Sequence, residues 1–486
     1  MELSDILIEP DMSGISATDF FSSKTIIKRG EEATRKLSAE LKNLVDSLNL
    51  EFHPVEKPEG PAFIYISDVK AENLRYVEES FVIGQGNIFP GTYTNKKLIE
   101  RAVERIYGTR YFRKVGYRLE HIEGMKYRLI YMTEESSRAH LKFAPHYNNQ
   151  QGTGIIMNTT FRNFLVPSSR IKLTANIAEN PGAELVAQKY FGKTQQLIGY
   201  QFLYWNRSKL PVFYEGEEVG NYRHGLLQGG LGTRYSLNFN HQVGFDFYYE
   251  RNSVKPGGAV ETFYPQADFK NYAYGGFAYK GYYNINTLND LYFATEGTKF
   301  GVGFKRVMKP LSSVRIEGDE SLDEEIFNLA LEPFNSFDAN IDQYFRIPGN
   351  SSIQIGSAMG FSSEETPITN HFALGGILYT NRYKYETFYG LHFGEQIVAN
   401  FMKVNAGIHY QLFPRVFISA VGNIAVTAND FNRFMGDFGA WKSRDYLKGY
   451  AAGIRLNSFL GPIILMVGDN SMDGSPRWYV SSGHMF

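Results

Sequence analysis

A nucleophilic serine would be the most direct sign of an enzyme in this chain. Hydrolases of the elbow type hold that serine in a Gly-x-Ser-x-Gly turn and need a glycine-rich oxyanion loop and an acidic partner. The sequence contains no such string, and the nearest one, Gly356–Gly360, has Ser357 one place early and inside a predicted strand. We therefore predict no catalytic residues and no esterase activity for this chain by itself.

Residues that bind metals also fail to form a known pattern. The acidic segments Glu317–Glu320 and Asp323–Glu325 are rich in carboxylates but lack the spacing of an EF-hand. His140 and His146 could share one strand face, but that spacing separates them by roughly 20 Å, too far for one ion. The chain has no Cys, which excludes thiolate sites, Cys nucleophiles and disulfides. The prediction is no metal and no cofactor.

Composition favours a β protein. The 486 residues suffice for two or three units, and the net charge of −1 gives no argument for nucleic-acid binding. The 38 Phe, 33 Tyr and 47 Gly favour many short strands. No apolar run approaches the ~18–20 residues of a spanning helix. The first ten residues lack the basic and apolar regions of a signal peptide, which predicts that an upstream part is missing.

Apolar and polar residues alternate along many short segments between Arg138 and Phe486. The alternation is cleanest in Met402–Leu412, and it recurs in Arg170–Ile177 and Gln242–Tyr249. One such strand decides nothing, because a sheet packed on a soluble core gives the same pattern. Charged residues on the polar faces would line a wet lumen: Lys172, Lys299, Lys305, Lys403 and Arg455.

The connections between these segments favour a membrane barrel. Short turns are predicted at 166–169, 192–195, 236–238, 295–297, 348–350, 414 and 460–462. Longer polar connections are predicted at 208–222, 252–269, 310–333, 362–395, 428–446 and 469–476. About sixteen strands with alternating short and long ends fit an even-stranded outer-membrane barrel, in which the short ends face the periplasm.

The first 136 residues predict two smaller parts. Residues 62–136 read as a β-α-α-β-β unit, with a strand at 62–69, helices at 74–83 and 95–107, the second capped by Thr94, and strands at 112–120 and 126–133. Leu98, Ala102, Val103 and Ile106 are predicted to share the buried face of the second helix. Residues 1–50 predict an extended piece at 5–9 and a helix at 18–48, and residues 51–61 predict a linker.

The β-α-α-β-β unit resembles a POTRA domain, chiefly at the junction that follows its second helix. Residues 160–165 and 169–176 are similar to the opening strands of the BamA/TpsB superfamily, also called surface antigens. The chain's last strand is similar to the one that those barrels present to the assembly machinery. The residues that carry these likenesses are Tyr107, Gly108, Tyr111, Phe112 and Val115 at the junction, and Trp478, Tyr479, Val480, Gly483 and Phe486 at the end. The resemblance implies a mainly β chain with a sixteen-stranded antiparallel transmembrane β-barrel at 137–486.

The N-terminal residues carry a second resemblance, which restricts the chain to one group of proteins within this superfamily. Ser4–Asp11, Asp19-Phe20, Ile26-Ile27 and Gly30–Ala33 resemble the last strand and helix of a patatin-like phospholipase domain. A patatin domain, one POTRA and a barrel describe the outer-membrane patatin-like proteins, a branch of type V secretion in Gram-negative bacteria. The resemblance implies that residues 1–50 are a remnant of that domain, that its catalytic core lies upstream of Met1, and that the parent acts in lipid metabolism.

One departure concerns the long sixth extracellular loop, which in this superfamily folds into the lumen and carries an Arg-Gly-aromatic tip. The matching residues here are predicted to plug the barrel: Gly375, Gly376, Phe388, Tyr389, Gly390 and Phe393. Tyr389 stands where the arginine would be. Switching through a buried Arg–carboxylate pair is therefore in doubt, and an aromatic plug held by stacking is expected instead.

These resemblances imply a membrane anchor and translocation module for a patatin-like phospholipase. It would lie in the bacterial outer membrane, with the POTRA and the N-terminus in the periplasm. One alternative is a BamA/TamA-type assembly or translocation factor, although these usually carry several POTRA units and keep the arginine. Another is a passive porin-like channel, which a POTRA disfavours.

The same resemblances imply the partners. They are outer-membrane lipid, the barrel assembly machinery through the C-terminal strand, and a periplasmic client added to the POTRA sheet edge at 65–70 or 126–132. The prediction also includes a homodimer and excludes nucleic acid as a partner.

Overall fold

The structure is a computed structural model. The chain divides into two compact units, Met1–Ala62 and Phe63–Phe486. The ranges that it describes are 6–13, 23–48, 63–192, 194–214, 217–256, 269–316, 326–364, 366–377, 384–431, 434 and 446–483. No helix in these ranges has the length and apolar character needed to cross a membrane.

The first unit contains two helices where the sequence predicted one. Helix α1 covers Ser23–Lys36 and α2 covers Ser38–Ser47. The break falls at Leu37, whose N–H bonds to the carbonyl of Thr34, three residues back, as in a 3₁₀ turn. Residues 6–9 form no regular element. The predicted linker at 51–61 and the start of the predicted helix lie outside the described residues.

The second unit begins with a small domain, here called the α/β module (Phe63–Glu135). Its elements are β1 Ile64–Glu72, α3 Glu79–Gly86, β2 Thr92–Thr94, α4 Lys96–Gly108, β3 Phe112–Glu123 and β4 Lys126–Glu135. The sheet order is β2-β1-β4-β3, with β1 parallel to β4. The short strand β2 was not predicted, and α3 begins five residues later than expected.

Two local predictions in α4 are wrong. Asn95, not Thr94, caps the helix, because its side chain accepts a hydrogen bond from the Leu98 amide while Thr94 ends β2. Leu98 is exposed and Ile99 takes its place on the buried face with Ala102 and Ile106. The sheet order also excludes 126–132 as an edge, since β4 lies between β1 and β3.

The rest of the second unit is a barrel. Its first strands are β5 Ala139–Asn148, β6 Gly152–Arg162, β7 Ser169–Ala178, β8 Gly182–Phe191, β9 Leu197–Tyr214, β10 Glu217–Ser236, β11 His241–Pro256, β12 Phe269–Asn286, β13 Gly297–Ile316, β14 Ile326–Ala330, β15 Phe334–Ile347 and β16 Ser351–Ser362. Three short strands come next: β17 Phe372–Leu374, β18 Tyr385–Glu386 and β19 Gln396–Val398. The last five strands of the barrel are β20 Asn400–Phe413, β21 Val416–Ala428, β22 Leu447–Ser458, β23 Gly461–Asn470 and β24 Arg477–Gly483.

The sixteen-stranded antiparallel barrel is confirmed within the described ranges. Strands β5–β16 and β20–β24 close into one ring, in which β14 and β15 both pair with β13 and form one interrupted strand. On β20, the apolar side chains Val404 and Ile408 point outward and are exposed, while Asn405 and His409 point inward and are buried. Closure leaves no strand edge in lipid, which is the condition for a spanning sheet.

The predicted connections were only partly right. Residues 208–222 are not a long loop, because β9 runs to Tyr214 and β10 starts at Glu217. Strands β13 and β14 likewise occupy parts of 310–333, whereas 317–325 lies outside the described residues. Connections 149–151 and 179–181 are short, although they lie at the end where long loops were expected. At the other end, residues 287–296 form a longer connection than the predicted turn.

Candidate functional site in the barrel lumen and at its seam

The connection between β16 and β20 fills part of the barrel and is called the lumenal loop (residues 363–399). It contains a 3₁₀ turn at Ile368–Asn370 and a small sheet in the order β18-β17-β19. Its apolar side chains pack on wall residues that face the lumen; the cluster comprises Phe372, Leu374, Phe388, Leu391 and Val398 with Ala358, Phe401 and Ala425. The sequence alternates poorly here because these apolar residues of the loop are buried on both sides, although Ile368 is exposed.

The tip of the lumenal loop is held by side chains of the wall. The Tyr389 N–H donates to Asn423 Oδ1 at 2.7 Å, and Asn423 Nδ2 donates to the Tyr389 carbonyl at 3.1 Å. The Gly390 N–H donates to Tyr479 Oη at 2.7 Å, and Asn470 Nδ2 donates to the Gly390 carbonyl at 2.8 Å. Each buried backbone group of the tip thus has a partner, which fixes its orientation.

Glycines let the tip and the wall approach each other closely. Gly390 has φ +93°, and a Cβ there would lie 2.2 Å from the Asp469 carbonyl oxygen. On the opposing side, a Cβ at Gly449 would lie 2.0 Å from the Tyr389 carbonyl oxygen. The contact is therefore backbone against backbone, and a side chain at either position would displace the tip.

A buried ion pair joins the lumenal loop to the last barrel strand. Arg477 Nη2 lies 2.9 Å from Glu395 Oε1, with the two side chains 1% and 2% exposed, and 2.6 Å from Asp473 Oδ2. Burial alone would raise the pKa of Asp473, but hydrogen bonds from Arg477 and the Ser475 amide lower it below its ordinary value. The chain thus has a buried Arg–carboxylate pair, with the arginine on the wall and the carboxylate on the loop.

Lysines of the wall hold the loop at two further points. Lys403 Nζ contacts the Glu386 carboxylate and donates to the Thr387 carbonyl at 2.7 Å. On another part of the wall, Lys305 Nζ lies 2.8 Å from Glu250 and 3.0 Å from Asn370 Oδ1 of the loop. The loop is therefore fixed by charged groups on both sides, in addition to its aromatic contacts.

The seam that closes the ring joins β24 to β5 and is short. Only three residue pairs are in register in the described part of these strands: Ser481 with Asn148, Ser482 with Tyr147, and Gly483 with His146. The next residue of β5 is Pro145, which has no N–H to donate. By contrast, β5 and β6 pair over ten residues.

An asparagine strengthens the upper end of the seam. The Asn149 N–H donates to the Val480 carbonyl at 3.0 Å. Its side-chain oxygen accepts from the Val480 N–H at 3.1 Å, and its Nδ2 donates to the Trp478 carbonyl at 2.8 Å. The Asn149 amide therefore acts as one more peptide unit of the ladder beyond the end of β5.

The predicted site residues lie in three places. Phe388 and Phe393 are buried in the lumenal loop with Tyr389, Gly390 and the positive-φ glycines Gly375 and Gly376, and the Phe393 N–H donates to Gln150 Oε1 at 3.0 Å. In β24, Tyr479 faces the lumen, Trp478 points outward, Val480 is bound by Asn149 and Gly483 ends the seam. Phe486 lies outside the described residues.

The predicted junction residues belong mainly to the α/β module. Phe112 is buried, Val115 and Tyr111 pack against the core, and Tyr107 and Gly108 are exposed at the end of α4. Burial raises the pKa of Tyr111 to about 12. The Tyr111 ring also contacts the barrel, since the Arg162 guanidinium of β6 lies 5.2 Å from its centroid.

The joint between module and barrel was missed by sequence reasoning. The Glu135 carboxylate accepts hydrogen bonds from the N–H groups of Arg75, Tyr76 and Val77 at 2.9–3.0 Å. Asn163 Nδ2 donates to the Tyr76 carbonyl at 3.0 Å, and Arg138 lies 3.9 Å over the Tyr76 ring. One segment thus receives contacts from both the last module strand and the first barrel hairpin.

Sequence reasoning also missed Glu395, Arg477, Asn423 and Asn149. Their partners are 82, 34 and about 330 residues away along the chain, so no local pattern could find them. Only Arg477 gave a signal, as a charged residue just before the terminal strand's aromatic pair. Across the described ranges, no three His, Asp or Glu side chains are grouped to hold a metal ion.

Comparison with known proteins gives a family and a fold. A family model described as the OMP85 superfamily matches residues 233–486, just over half of the chain. The structure of BamA from Haemophilus ducreyi lacking POTRA domains 1–3 matches with a TM-score of 0.61 at 12% identity, over 86% of this chain and 84% of that one. This match shows a shared fold.

CdiB from Acinetobacter baumannii gives a TM-score of 0.49 at 12% identity, over 86% of this chain and 73% of that one. CdiB from Escherichia coli gives 0.41 at 10% identity, over 99% and 100% of the two chains.

Proposed function

Because this chain belongs to the OMP85 superfamily, whose barrels reside in the bacterial outer membrane, we propose that it inserts or exports other polypeptides there. The α/β module would act as a periplasmic POTRA domain, and the barrel's short connections would face the same side. The observation that carries the proposal is the seam between β24 and β5, which has three residue pairs in the part of these strands that the structure describes. This function was the alternative in the sequence analysis, and the family match supports it better than the lipase anchor.

The seam offers a place for an incoming strand. Above Pro145, β5 pairs with β24 through three residue pairs, and below it β5 continues down to Ala139. Leu141 and Phe143 of this stretch are exposed on the outer face. Because three residue pairs hold β24 on β5 in the described part of the seam, opening the seam would expose backbone groups to lipid at a cost of several kcal/mol per group. A client strand that adds to the opened edge would be stabilised by the ladder bonds it makes.

The α/β module offers a second edge. Strand β2 covers only Ile64–Ile66 of β1, and the Ala71 N–H is taken by the Glu79 carboxylate at 2.9 Å. Ser67–Lys70 therefore remain the open part of that edge, within the predicted range 65–70. A periplasmic client segment could add there before it reaches the barrel.

A reversible lock of the seam tests the proposal. Tyr147→Cys with Ser482→Cys places two cysteines directly opposite each other, within disulfide reach, in a chain that has no other Cys. Proteoliposomes carrying this variant are given a urea-unfolded eight-stranded outer-membrane barrel, and its folding rate is measured. The oxidised variant should lose the acceleration, and a reductant should restore it.

The matched control is Leu465→Cys with Val480→Cys, which locks the neighbouring β23–β24 ladder instead. This lock should leave the rate unchanged. Equal rates for the oxidised and reduced seam variant, or equal loss in the control, would contradict insertion at the seam.

A second candidate function is the predicted anchor of a patatin-like phospholipase in the outer membrane. It rests on the resemblance of Ser4–Asp11 and Gly30–Ala33 to the end of a patatin domain, and the comparisons give it no support. Sequencing the gene upstream of Met1 separates the two. A Gly-x-Ser-x-Gly elbow within about 300 codons favours the lipase, whereas repeated POTRA units favour the assembly factor.

A further inference from the structure

A cavity of about 480 Å³ lies inside the barrel, beneath the lumenal loop. Its upper side is formed by loop residues that include Ile377, Tyr385 and Tyr389. Its lower side is formed by Leu288, Leu291 and Tyr292, which belong to the connection between β12 and β13. The cavity is thus bounded by two different segments of chain, one from each end of the barrel.

The lower segment, here called the mouth turn (residues 287–296), has a defined conformation of its own. Asp290 Oδ1 accepts hydrogen bonds from the N–H groups of Tyr292 and Phe293, both at 2.8 Å. Asn289 Oδ1 accepts from the Thr295 N–H at 3.0 Å. These side-chain bonds organise the turn before any contact with the opposite wall is made.

The mouth turn reaches strands that are not its neighbours. Phe293 stacks on Phe417 at the start of β21, with ring centroids 5.1 Å apart and 27° between the planes. Arg455 of β22 donates to the Tyr292 carbonyl and lies 5.1 Å from the Phe293 ring centroid. In the barrel wall β15, β16 and β20 stand between β13 and β21. The turn therefore leaves its own hairpin and crosses part of the opening.

Burial along the turn agrees with this placement. Phe293 and Ala294 are almost completely buried, whereas Leu291 is 70% exposed. A surface turn would leave its aromatic residue in water or lipid, but here the ring is enclosed between a phenyl ring and a guanidinium. Such aromatic and cation–π contacts favour one fixed position.

We propose that the mouth turn closes the lumen at the end opposite the lumenal loop, as a second and independent closure. The barrel then stays non-conducting even when the lumenal loop leaves it. Any polypeptide or solute that enters from this side must first displace Phe293 from Phe417 and Arg455. The inference holds whether or not the barrel inserts other proteins, since it rests on the contacts of the turn alone.

Conductance across planar bilayers tests the two closures separately. One variant replaces residues 364–398 by a short Gly-Ser linker. A short linker can span the gap because Gly360 and Phe401, just below it, are paired on neighbouring strands. A second carries Phe293→Ala with Arg455→Ala, and a third combines all changes. The loop deletion alone should conduct no more than about threefold above the parent chain, and the combined variant at least tenfold more than the deletion. Full conductance from the loop deletion alone would overturn the proposal.

The matched control for the substitutions is Phe239→Ala with Phe459→Ala, two exposed phenylalanines in other turns at the same end of the barrel. Combined with the loop deletion, these changes should not raise conductance. An increase equal to that of the mouth-turn variant would show a general loosening of the barrel and contradict the proposal.

A labelling experiment on the otherwise intact chain covers the case in which the deletion does not fold. Ala294 is 8% exposed and Leu291 is 70% exposed, and the chain has no Cys of its own. Ala294→Cys should react with a water-soluble maleimide at least tenfold more slowly than Leu291→Cys, and adding Arg455→Ala should remove the difference. Equal rates in the parent background would mean that the turn does not close the mouth.

Discussion

The Glu395–Arg477 ion pair should decide whether the lumenal loop stays on the last strand. Removing one partner of a buried pair costs about 3–5 kcal/mol, because the other charge is left without compensation. Arg477→Ala strands the Glu395 carboxylate, which is 2% exposed, so we expect the full cost. Glu395→Ala leaves Arg477 bound to Asp473 at 2.6 Å, so we expect only the loss of one charge-assisted bond, about 1.5–3 kcal/mol.

The double variant gives the coupling between the two residues. With both side chains removed Glu395 no longer leaves a buried charge, and Asp473 keeps its hydrogen bonds from the Ser475 amide and Asn470. The cost should therefore fall short of the sum of the single variants by about 0.5–3 kcal/mol. The free energy of unfolding is measured by urea titration in lipid vesicles, with tryptophan fluorescence and linear extrapolation. Trp478, next to Arg477, reports on the last strand.

The control is the exposed pair Arg346–Glu296, whose atoms lie 3.7 Å apart with side chains 61% and 55% exposed. Arg346→Ala should change the free energy of unfolding by at most about 1 kcal/mol. The reasoning is refuted if Arg477→Ala is no more destabilising than Arg346→Ala, or if the effects of Glu395→Ala and Arg477→Ala simply add.

Three further substitutions probe the tip, the seam and the joint. Gly390→Ala should release the loop tip to protease in sealed vesicles, whereas Gly394→Ala, which shares the positive φ but has open space around its Cβ, should cause only local strain of about 1 kcal/mol. Asn149→Ala removes two side-chain bonds to β24, so hydrogen exchange of the seam amides should accelerate by about tenfold. Glu135→Ala leaves three N–H groups of the joint without an acceptor, so their exchange should rise, whereas Glu134→Ala, from an exposed pair, should leave it unchanged.

The barrel could be predicted because its strands obey one simple period. Met402–Leu412 alternates without exception and lies within β20, with apolar residues outward as expected. The lengths of the connections follow no such rule. Polar residues at 208–222 read as a loop, yet they extend the β9–β10 hairpin, in which Leu210 pairs with Tyr222 and Phe213 with Glu218.

The candidate site was predictable only in outline. The resemblance to barrels of this superfamily led to the lumenal loop and to Gly390, and the structure places both against the wall. The loss of the expected arginine at Tyr389 put switching through a buried Arg–carboxylate pair in doubt. A buried pair is present at another place, because Arg477 of the wall binds Glu395 of the loop, 82 residues away along the chain. Side chains so far apart in sequence meet only through the closed ring.

The orientation of the barrel in an outer membrane tests the account most directly. Met472, in the connection between β23 and β24, and Phe459, in the turn between β22 and β23, are both exposed and lie at opposite ends. Each is changed singly to Cys in a chain that has none, and intact cells are treated with a membrane-impermeant maleimide. Met472→Cys should react at once, and Phe459→Cys only after the outer membrane is permeabilised. Reaction of Phe459→Cys in intact cells, with Met472→Cys protected, would contradict the account.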